Sequence, residues 1–143
     1  MFIAHNIVRM HDTDMAGILY FARMFRFAHD ALEDFMMHEG IRFQEMFKKH
    51  DFAFVIAHAE ADYKLPMTVG DPLDVHVTVD KIGTTSFTIG YKIYFSDRLS
   101  LAGTVKTIHV TLDPKTRVKI PIPDRFRVIL QRYHDQAHHS EKK

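Results

Sequence analysis

An α+β fold follows from three observations on this sequence. From about Tyr20 to Glu39 the apolar residues recur at spacings of three, four and seven, the period of a helix with one buried face. Later segments change to strict alternation, the period of a half-buried strand. Turn residues separate those segments at hairpin spacing, so the strands are expected to build an antiparallel sheet rather than a parallel one. Together these predict an antiparallel sheet wrapped around one long central helix, in a single domain spanning residues 1–143.

Residues 2 to 11 are apolar-rich and read as a first strand. The helix that follows carries Phe21, Met24, Phe25, Ala28, Leu32, Phe35 and Met36 on one side, widened by Phe27 and Ala31. Arg23, Arg26, Asp30, Glu33 and Asp34 occupy the other, and Gly40 is a fitting stop. A shorter helical piece is expected over Arg42 to Lys49. Then Val55, Ala57, Ala59, Ala61, Tyr63 and Leu65 alternate with Ile56, His58, Glu60, Asp62 and Lys64 until Pro66 ends the run. The small residues Ala57, Ala59 and Ala61 would let the helix approach this strand closely. Leu73 to Val79 and Phe87 to Phe95 alternate in the same way. Ser96-Asp97-Arg98 suits a hairpin turn into a last strand, Leu99 to Leu112. Asp124 caps a short helix bearing Phe126, Ile129, Leu130 and Tyr133, and the polar tail from about residue 134 is expected to fray.

Composition narrows the function. With 46% hydrophobic residues, 12 Phe and 8 Met, 143 residues suffice for one real core but not two. A net charge of +1 gives no electrostatic basis for nucleic acid or an anionic membrane. No cysteine is present, which excludes disulfides, a thiolate nucleophile and zinc–sulfur sites. The N-terminus lacks the features of a signal peptide, and no apolar run approaches membrane-spanning length, so a cytoplasmic enzyme or binding module is expected.

The run His11-Asp12-Thr13-Asp14-Met15-Ala16-Gly17-Ile18-Leu19-Tyr20-Phe21 joins the first strand to the long helix. A helix N-terminus offers unpaired N–H groups and partial positive charge. A carboxylate held beside such an end resembles half of an acyl-transfer site, a base or nucleophile next to oxyanion donors. Spacing alone favours the plainer reading, in which Asp12, Thr13 and Asp14 cap the helix and turn the chain.

The same run resembles the D-x-D-x-x-G-[IV]-[VL]-[YW] signature of the 4-hydroxybenzoyl-CoA thioesterase-like branch of the hot-dog fold. The resemblance continues through Asp62-Tyr63-Lys64-Leu65-Pro66, Gly70-Asp71-Pro72-Leu73, Gly83-Thr84-Thr85-Ser86-Phe87 and His109-Val110-Thr111-Leu112-Asp113, covering roughly residues 5 to 125. It implies hydrolysis of an acyl-CoA thioester by a homo-oligomer, a dimer or a tetramer, without metal or organic cofactor. It makes Asp14 the catalytic carboxylate and Gly17, Tyr20 and Phe21 the substrate contacts, with an oxyanion contact from the backbone N–H around Phe21. Asp12, in this reading, holds the loop. Some bacterial members carry histidine directly after the motif tyrosine, whereas members acting on aromatic acyl-CoAs can carry an aromatic residue there. Phe21 therefore points toward an aromatic or bulky acyl group. The family's basic cluster ahead of Ser86 is reduced to Lys81, Thr84 and Thr85, so no residue is assigned to the CoA phosphates.

Other constellations are weaker. Of the 11 histidines none forms H-E-x-x-H, because His38-Glu39 is followed by Gly40, Ile41 and Arg42. His11 with Asp12 and Asp14 is the one arrangement able to attract a divalent ion, and no metal is expected there. Neither G-x-S-x-G nor a P-loop occurs. Two alternatives to an acyl-CoA thioesterase remain: the same chemistry on an acyl-carrier-protein thioester, and a non-catalytic acyl-CoA-binding protein of the same fold. Asp14 and Gly17 argue against the second, since a pure binder has no use for a carboxylate facing the carbonyl.

Overall fold

Strand alternation is realised as a five-stranded, wholly antiparallel sheet. A computed structural model describes residues 1–42 and 52–141. Strands β1 (Phe2–Ile7), β2 (Ala53–Tyr63), β3 (Pro72–Ile82), β4 (Ser86–Phe95) and β5 (Leu101–Leu112) lie in the order β1-β3-β4-β5-β2. Leu73, Val75, Val77 and Val79 of β3 stand opposite Phe95, Ile93, Tyr91 and Ile89 of β4, and all eight are buried on the inner face. The expected helix over Arg42 to Lys49 falls almost entirely outside the described residues.

Helix α1 (Met24–His38) packs on that inner face through Met24, Phe27, Ala28, Ala31, Leu32, Phe35 and Met36. It ends as the sequence suggests. Gly40 has φ +80°, its N–H donates to Met37 O at 3.0 Å, and Ile41 N–H reaches back to Met36 O at 2.8 Å. This pair of bonds satisfies carbonyls that the helix end would otherwise orphan, and it needs a left-handed residue. The start differs from the expectation. Residues Phe21–Arg23 form a tighter 3₁₀ turn before α1 begins. Three residues per turn instead of 3.6 rotate Phe21 off the buried stripe, and its side chain is 63% exposed.

Strand β2 also departs from simple alternation. Its register with β5 shifts between Ile56 and His58, leaving Ala57 as an extra residue in a bulge. Residues paired across a ladder share a face, so Phe54 and Ile56, opposite Thr111 and His109, point inward before the bulge. After it Ala59, Ala61 and Tyr63 do so, opposite Thr107, Val105 and Gly103. Val55 and Ala57, expected inside, are therefore displaced. The close approach of α1 is not realised at Ala57 and Ala59, while Ala61 packs against the core. β2 is an edge strand with Ala57 and Ala59 exposed, and a cavity separates Ala28 and Leu32 of α1 from Ile56 and Ala59.

A second helix, α2 (Asp124–Glu141), shares the inner face with α1. The ring of Phe126 meets those of Phe52, Phe54 and Phe87 at 5.4, 6.2 and 5.2 Å, and Tyr133 stands edge-on to Phe35 at 4.7 Å. The helix continues well past His134 instead of fraying there. Gln131 bonds Asp135 one turn on at 2.9 Å, and the segment to Glu141 contains neither Gly nor Pro to stop it. Among the described residues no helix is long and apolar enough to cross a membrane.

Candidate active site

Residues 12–20 fold back on themselves as a small hairpin. Tyr20 N–H donates to Asp12 O at 2.8 Å, Asp14 N–H donates to Ile18 O at 3.0 Å, and Thr13 bridges Leu19 between them. Met15, Ala16 and Gly17 form the loop, closed by Gly17 N–H to Asp14 O at 3.0 Å. Gly17 has φ +79°, the left-handed residue that ends a three-residue hairpin loop. A Cβ there would meet nothing within 4 Å, so the requirement for glycine is one of backbone conformation alone. Asp14 Oδ1 accepts Ala16 N–H at 2.9 Å, a local bond that orients the carboxylate while the residue stays exposed. The returning arm is tied to the β2–β3 connection by Leu19 N–H to Met67 O at 2.8 Å and by a bridge from Ile18 to Thr68.

Two residues earlier, Asp12 is fully buried. Arg26 of α1 grips both its oxygens, Nε to Oδ1 at 2.7 Å and Nη2 to Oδ2 at 2.5 Å, and Arg9 N–H adds a bond to Oδ2 at 2.8 Å. Arg26 also reaches Asp30 at 2.9 Å and Ile7 O at 3.2 Å. Burial pushes the Asp12 carboxyl up, but the Arg26 fork and the Arg9 N–H outweigh it and hold the group below its ordinary value. A two-pronged guanidinium–carboxylate pair of this kind fixes geometry as well as charge. Asp12 thus fastens the base of the hairpin to the helix. With both its oxygens occupied, the cation arrangement of His11, Asp12 and Asp14 is not assembled.

The 3₁₀ turn starts directly after the hairpin. Arg23 N–H is taken by Tyr20 O at 2.8 Å. Among the described residues the N–H groups of Phe21 and Ala22 meet no backbone acceptor, as expected at a helix start. Tyr63, at the end of β2, donates its hydroxyl to Phe21 O. Burial pushes the Tyr63 phenol up from its ordinary value, so it remains a donor and pins the peptide plane whose neighbour carries the free N–H. The rings of Tyr20 and Phe21 lean on each other at 4.9 Å, both exposed at the mouth of this corner.

Two spaces adjoin the corner. A cleft of about 280 Å³ lies between Ile18 and Leu19 of the hairpin and Tyr63 to Met67. A smaller cavity of about 110 Å³ lies between α1 and β2, lined chiefly by Phe25, Ala28, Leu32, Ile56, Ala59 and His109. Its floor is a buried polar chain in which Tyr91 OH meets Thr107 Oγ1 at 3.1 Å and Thr107 Oγ1 meets His109 Nε2 at 2.8 Å. Phe87 stacks on the His109 ring at 4.9 Å. Burial, with a smaller push from His29, lowers the His109 pKa to about 4, so this imidazole is neutral at pH 7. A wider concavity, about 680 Å³, lies across the other face of the sheet among residues such as His76, Asp80, Lys92 and Lys106. None of Asp14, Gly17, Tyr20 and Phe21 lines it.

The structure therefore gathers all four site residues expected from the sequence onto one hairpin and the turn that follows it. Arg26 and Tyr63 hold that corner in place; no role was expected of Arg26 from the sequence, and Tyr63 entered only as a strand residue and as part of the Asp62-Tyr63-Lys64-Leu65-Pro66 motif. Tyr63 was legible as an inward residue of β2, but its hydrogen bond to Phe21 O links positions 42 residues apart. Arg26 reads in the sequence as an exposed charge of α1.

A five-stranded antiparallel sheet packed on one long helix is the α+β arrangement of the hot-dog thioesterases. The chain belongs to the Thioesterase-like superfamily, whose family model matches residues 8–130. It is 32% identical over 127 residues to a 1,4-dihydroxy-2-naphthoyl-CoA hydrolase of Synechococcus elongatus, covering 88% of this chain and 92% of that protein. A protein of the same name from Nostoc punctiforme is 32% identical over 142 residues, covering 99% and 95%. The crystal structure of a 1,4-dihydroxy-2-naphthoyl-CoA thioesterase from Synechocystis superposes with a TM-score of 0.84 at 29% identity, covering 90% of this chain and 94% of that one. The protein is a thioester hydrolase.

Proposed function

We propose that this thioesterase hydrolyses an aromatic or otherwise bulky acyl-CoA, with Asp14 as the catalytic carboxylate and the Phe21 N–H as the oxyanion donor. The observation that carries the proposal is the division of labour between the two aspartates. Asp12 is buried and has both oxygens bound, whereas Asp14 is exposed with its carboxylate oriented by Ala16 N–H. Asp14 and Tyr20 lie two residues apart along the hairpin ladder, about 7 Å. A thioester carbonyl fits between the carboxylate and the turn that begins at Phe21. Asp14 takes a proton from water as the water oxygen bonds to the carbonyl carbon, and the oxyanion that forms is met by the Phe21 N–H and the helix dipole. Collapse of the tetrahedral species breaks the C–S bond, and the CoA thiolate leaves and is protonated. In the other form of the same proposal, Asp14 attacks directly and water then opens a mixed anhydride.

Support for an aromatic acyl group comes from the exposed rings of Tyr20 and Phe21 at the corner and from the naphthoyl-CoA relatives. The motif residues support the narrower 4-hydroxybenzoyl-CoA thioesterase-like branch within the superfamily. The active species is a homo-oligomer. β2 is a sheet edge that exposes Val55, Ile56 and Tyr63, each close to half, and a second copy would cover it. Thiol release from a panel of aryl and aliphatic acyl-CoAs and an acyl-carrier-protein thioester tests the reaction, and sedimentation tests the assembly. Aryl-CoAs are expected to turn over fastest, by a dimer or tetramer. Affinity without thiol release would mark a binding protein, faster release from the carrier-protein thioester would move the substrate class, and an active monomer would remove the oligomeric site.

A further inference from the structure

The turn that presents the Phe21 N–H is gripped by one rung of the sheet. Tyr63 of β2 and Gly103 of β5 stand opposite each other on that rung. The Tyr63 hydroxyl donates to Phe21 O. Gly103 makes room for Met24, the first residue of α1, since a Cβ there would lie 2.4 Å from Met24 Cε. The end of β2 is itself held, because Lys64 N–H and Leu65 N–H both donate to Ala102 O, at 2.9 and 3.1 Å. A side chain mounted on a strand in this way places its polar atom more narrowly than one carried on a loop.

The bond is not needed to satisfy either partner. Met24 N–H already turns back to Phe21 O. Tyr63 is 47% exposed, so water could serve its hydroxyl. Its consequence is local. The N–H groups of Phe21 and Ala22 meet no backbone acceptor among the described residues, and each shares a planar peptide with the carbonyl before it. The peptide carrying the Phe21 N–H is held by Arg23 N–H on Tyr20 O at 2.8 Å. The peptide carrying the Ala22 N–H is held by Tyr63 on Phe21 O. The two planes meet at the Phe21 Cα, so holding both carbonyls sets the direction of both N–H groups. Hydrogen bonds in series also polarise one another, which strengthens an N–H whose own carbonyl accepts a bond.

We infer that Tyr63 is a positioning residue for thioester hydrolysis, its hydroxyl holding the Phe21 carbonyl so that the turn meets the oxyanion in a set direction. The inference rests on the proposed oxyanion role of the Phe21 N–H. Tyr63 acts through the turn, and its effect grows as negative charge develops on the thioester oxygen.

Tyr63→Phe removes the hydroxyl and keeps the ring. For benzoyl-CoA, kcat is expected to fall about tenfold with KM within about twofold, less than the roughly 10²–10³ lost with a direct oxyanion donor. The thermal midpoint should stay at the wild-type value. A vibrational readout separates positioning from packing. In Asp14→Asn, the carbonyl stretch of bound benzoyl-CoA, labelled with carbon-13 at the thioester carbon, should lie below its frequency in water. Adding Tyr63→Phe should return it part of the way. Wild-type kcat and an unmoved stretch in Tyr63→Phe would overturn the role of Tyr63 and leave the thioesterase reading intact. A fall in kcat that only tracks a lost folded fraction, with the stretch unmoved, would overturn it as well and make Tyr63 a packing residue. No lowering of the stretch on binding with Tyr63 present would overturn the oxyanion reading itself, and this inference with it.

Discussion

The base and the tip of one short hairpin hold the same side chain in opposite settings. At the base, Asp12 is sealed from solvent and bound by an arginine fork and a backbone N–H. At the tip, Asp14 faces solvent with one local bond to Ala16. A carboxylate with every acceptor site committed to a cation stabilises a structure but has little basicity left for water. A carboxylate held by one neutral amide keeps an oxygen available and still points in a defined direction. Burial and partner count, not position in the motif, make Asp12 an anchor and support Asp14 as the proposed reagent.

The sharpest way to break this comparison is to remove the charge at the base. Asp12→Asn leaves Arg26 facing an amide in a buried setting. Losing one partner of a buried ion pair costs about 3 kcal/mol, toward the low end of the usual range because Arg26 is partly exposed and keeps Asp30. Urea denaturation at pH 7 should show that loss; an unchanged midpoint would mean the fork is ornamental.

Acid titration separates the hairpin base from the sheet interior. His109 has a folded pKa lowered from 6.5 to about 4, so its contribution to stability is fully present above pH 6.5 and is lost as pH falls from there through about 4. The shift corresponds to about 3 kcal/mol across that window. The Asp12 carboxyl, whose folded value lies below its ordinary 3.8, contributes stability that is present above about pH 4 and is lost at lower pH. Denaturation midpoints against pH should therefore flatten between 6.5 and 4 in His109→Phe, which keeps a ring against Phe87, and below 4 in Asp12→Asn. If His109→Phe retained the wild-type slope, the imidazole would not be the buried neutral group described.

The smallest effect is expected at the tip. Gly17→Ala forces a Cβ into a left-handed conformation with open space around it, costing about 1 kcal/mol by thermal denaturation. Gly17→Asn should cost less, since asparagine tolerates that region. Equal losses for the two would point to a contact at Gly17 instead of its backbone angle.

Much of this molecule was legible in the sequence, and the parts that were not share a physical cause. The alternation of β3 and β4, the buried stripe of α1 and the stop at Gly40 are local patterns, readable because one face of each element is buried. The bulge at Ala57 adds one residue without changing the residue types around it, so alternation placed Val55 on the wrong face. The 3₁₀ turn rotated Phe21 out of a stripe whose spacing it otherwise fits. Asp12 and Asp14 were distinguished in the sequence only by resemblance to a family. What separates them in the structure is Arg26, 14 residues on, and no local rule pairs those positions.

The most direct measurement is a parallel one on Asp12→Asn and Asp14→Asn, with kcat for an aryl-CoA determined on protein whose folded fraction is measured in the same samples. Asp14→Asn should keep wild-type stability, because an asparagine oxygen still accepts Ala16 N–H, and should lose roughly 10²-fold or more in kcat. Asp12→Asn should lose stability and, per folded molecule, retain far more of its turnover. A folded Asp12→Asn protein without turnover beside an active Asp14→Asn protein would reverse the roles of the two carboxylates.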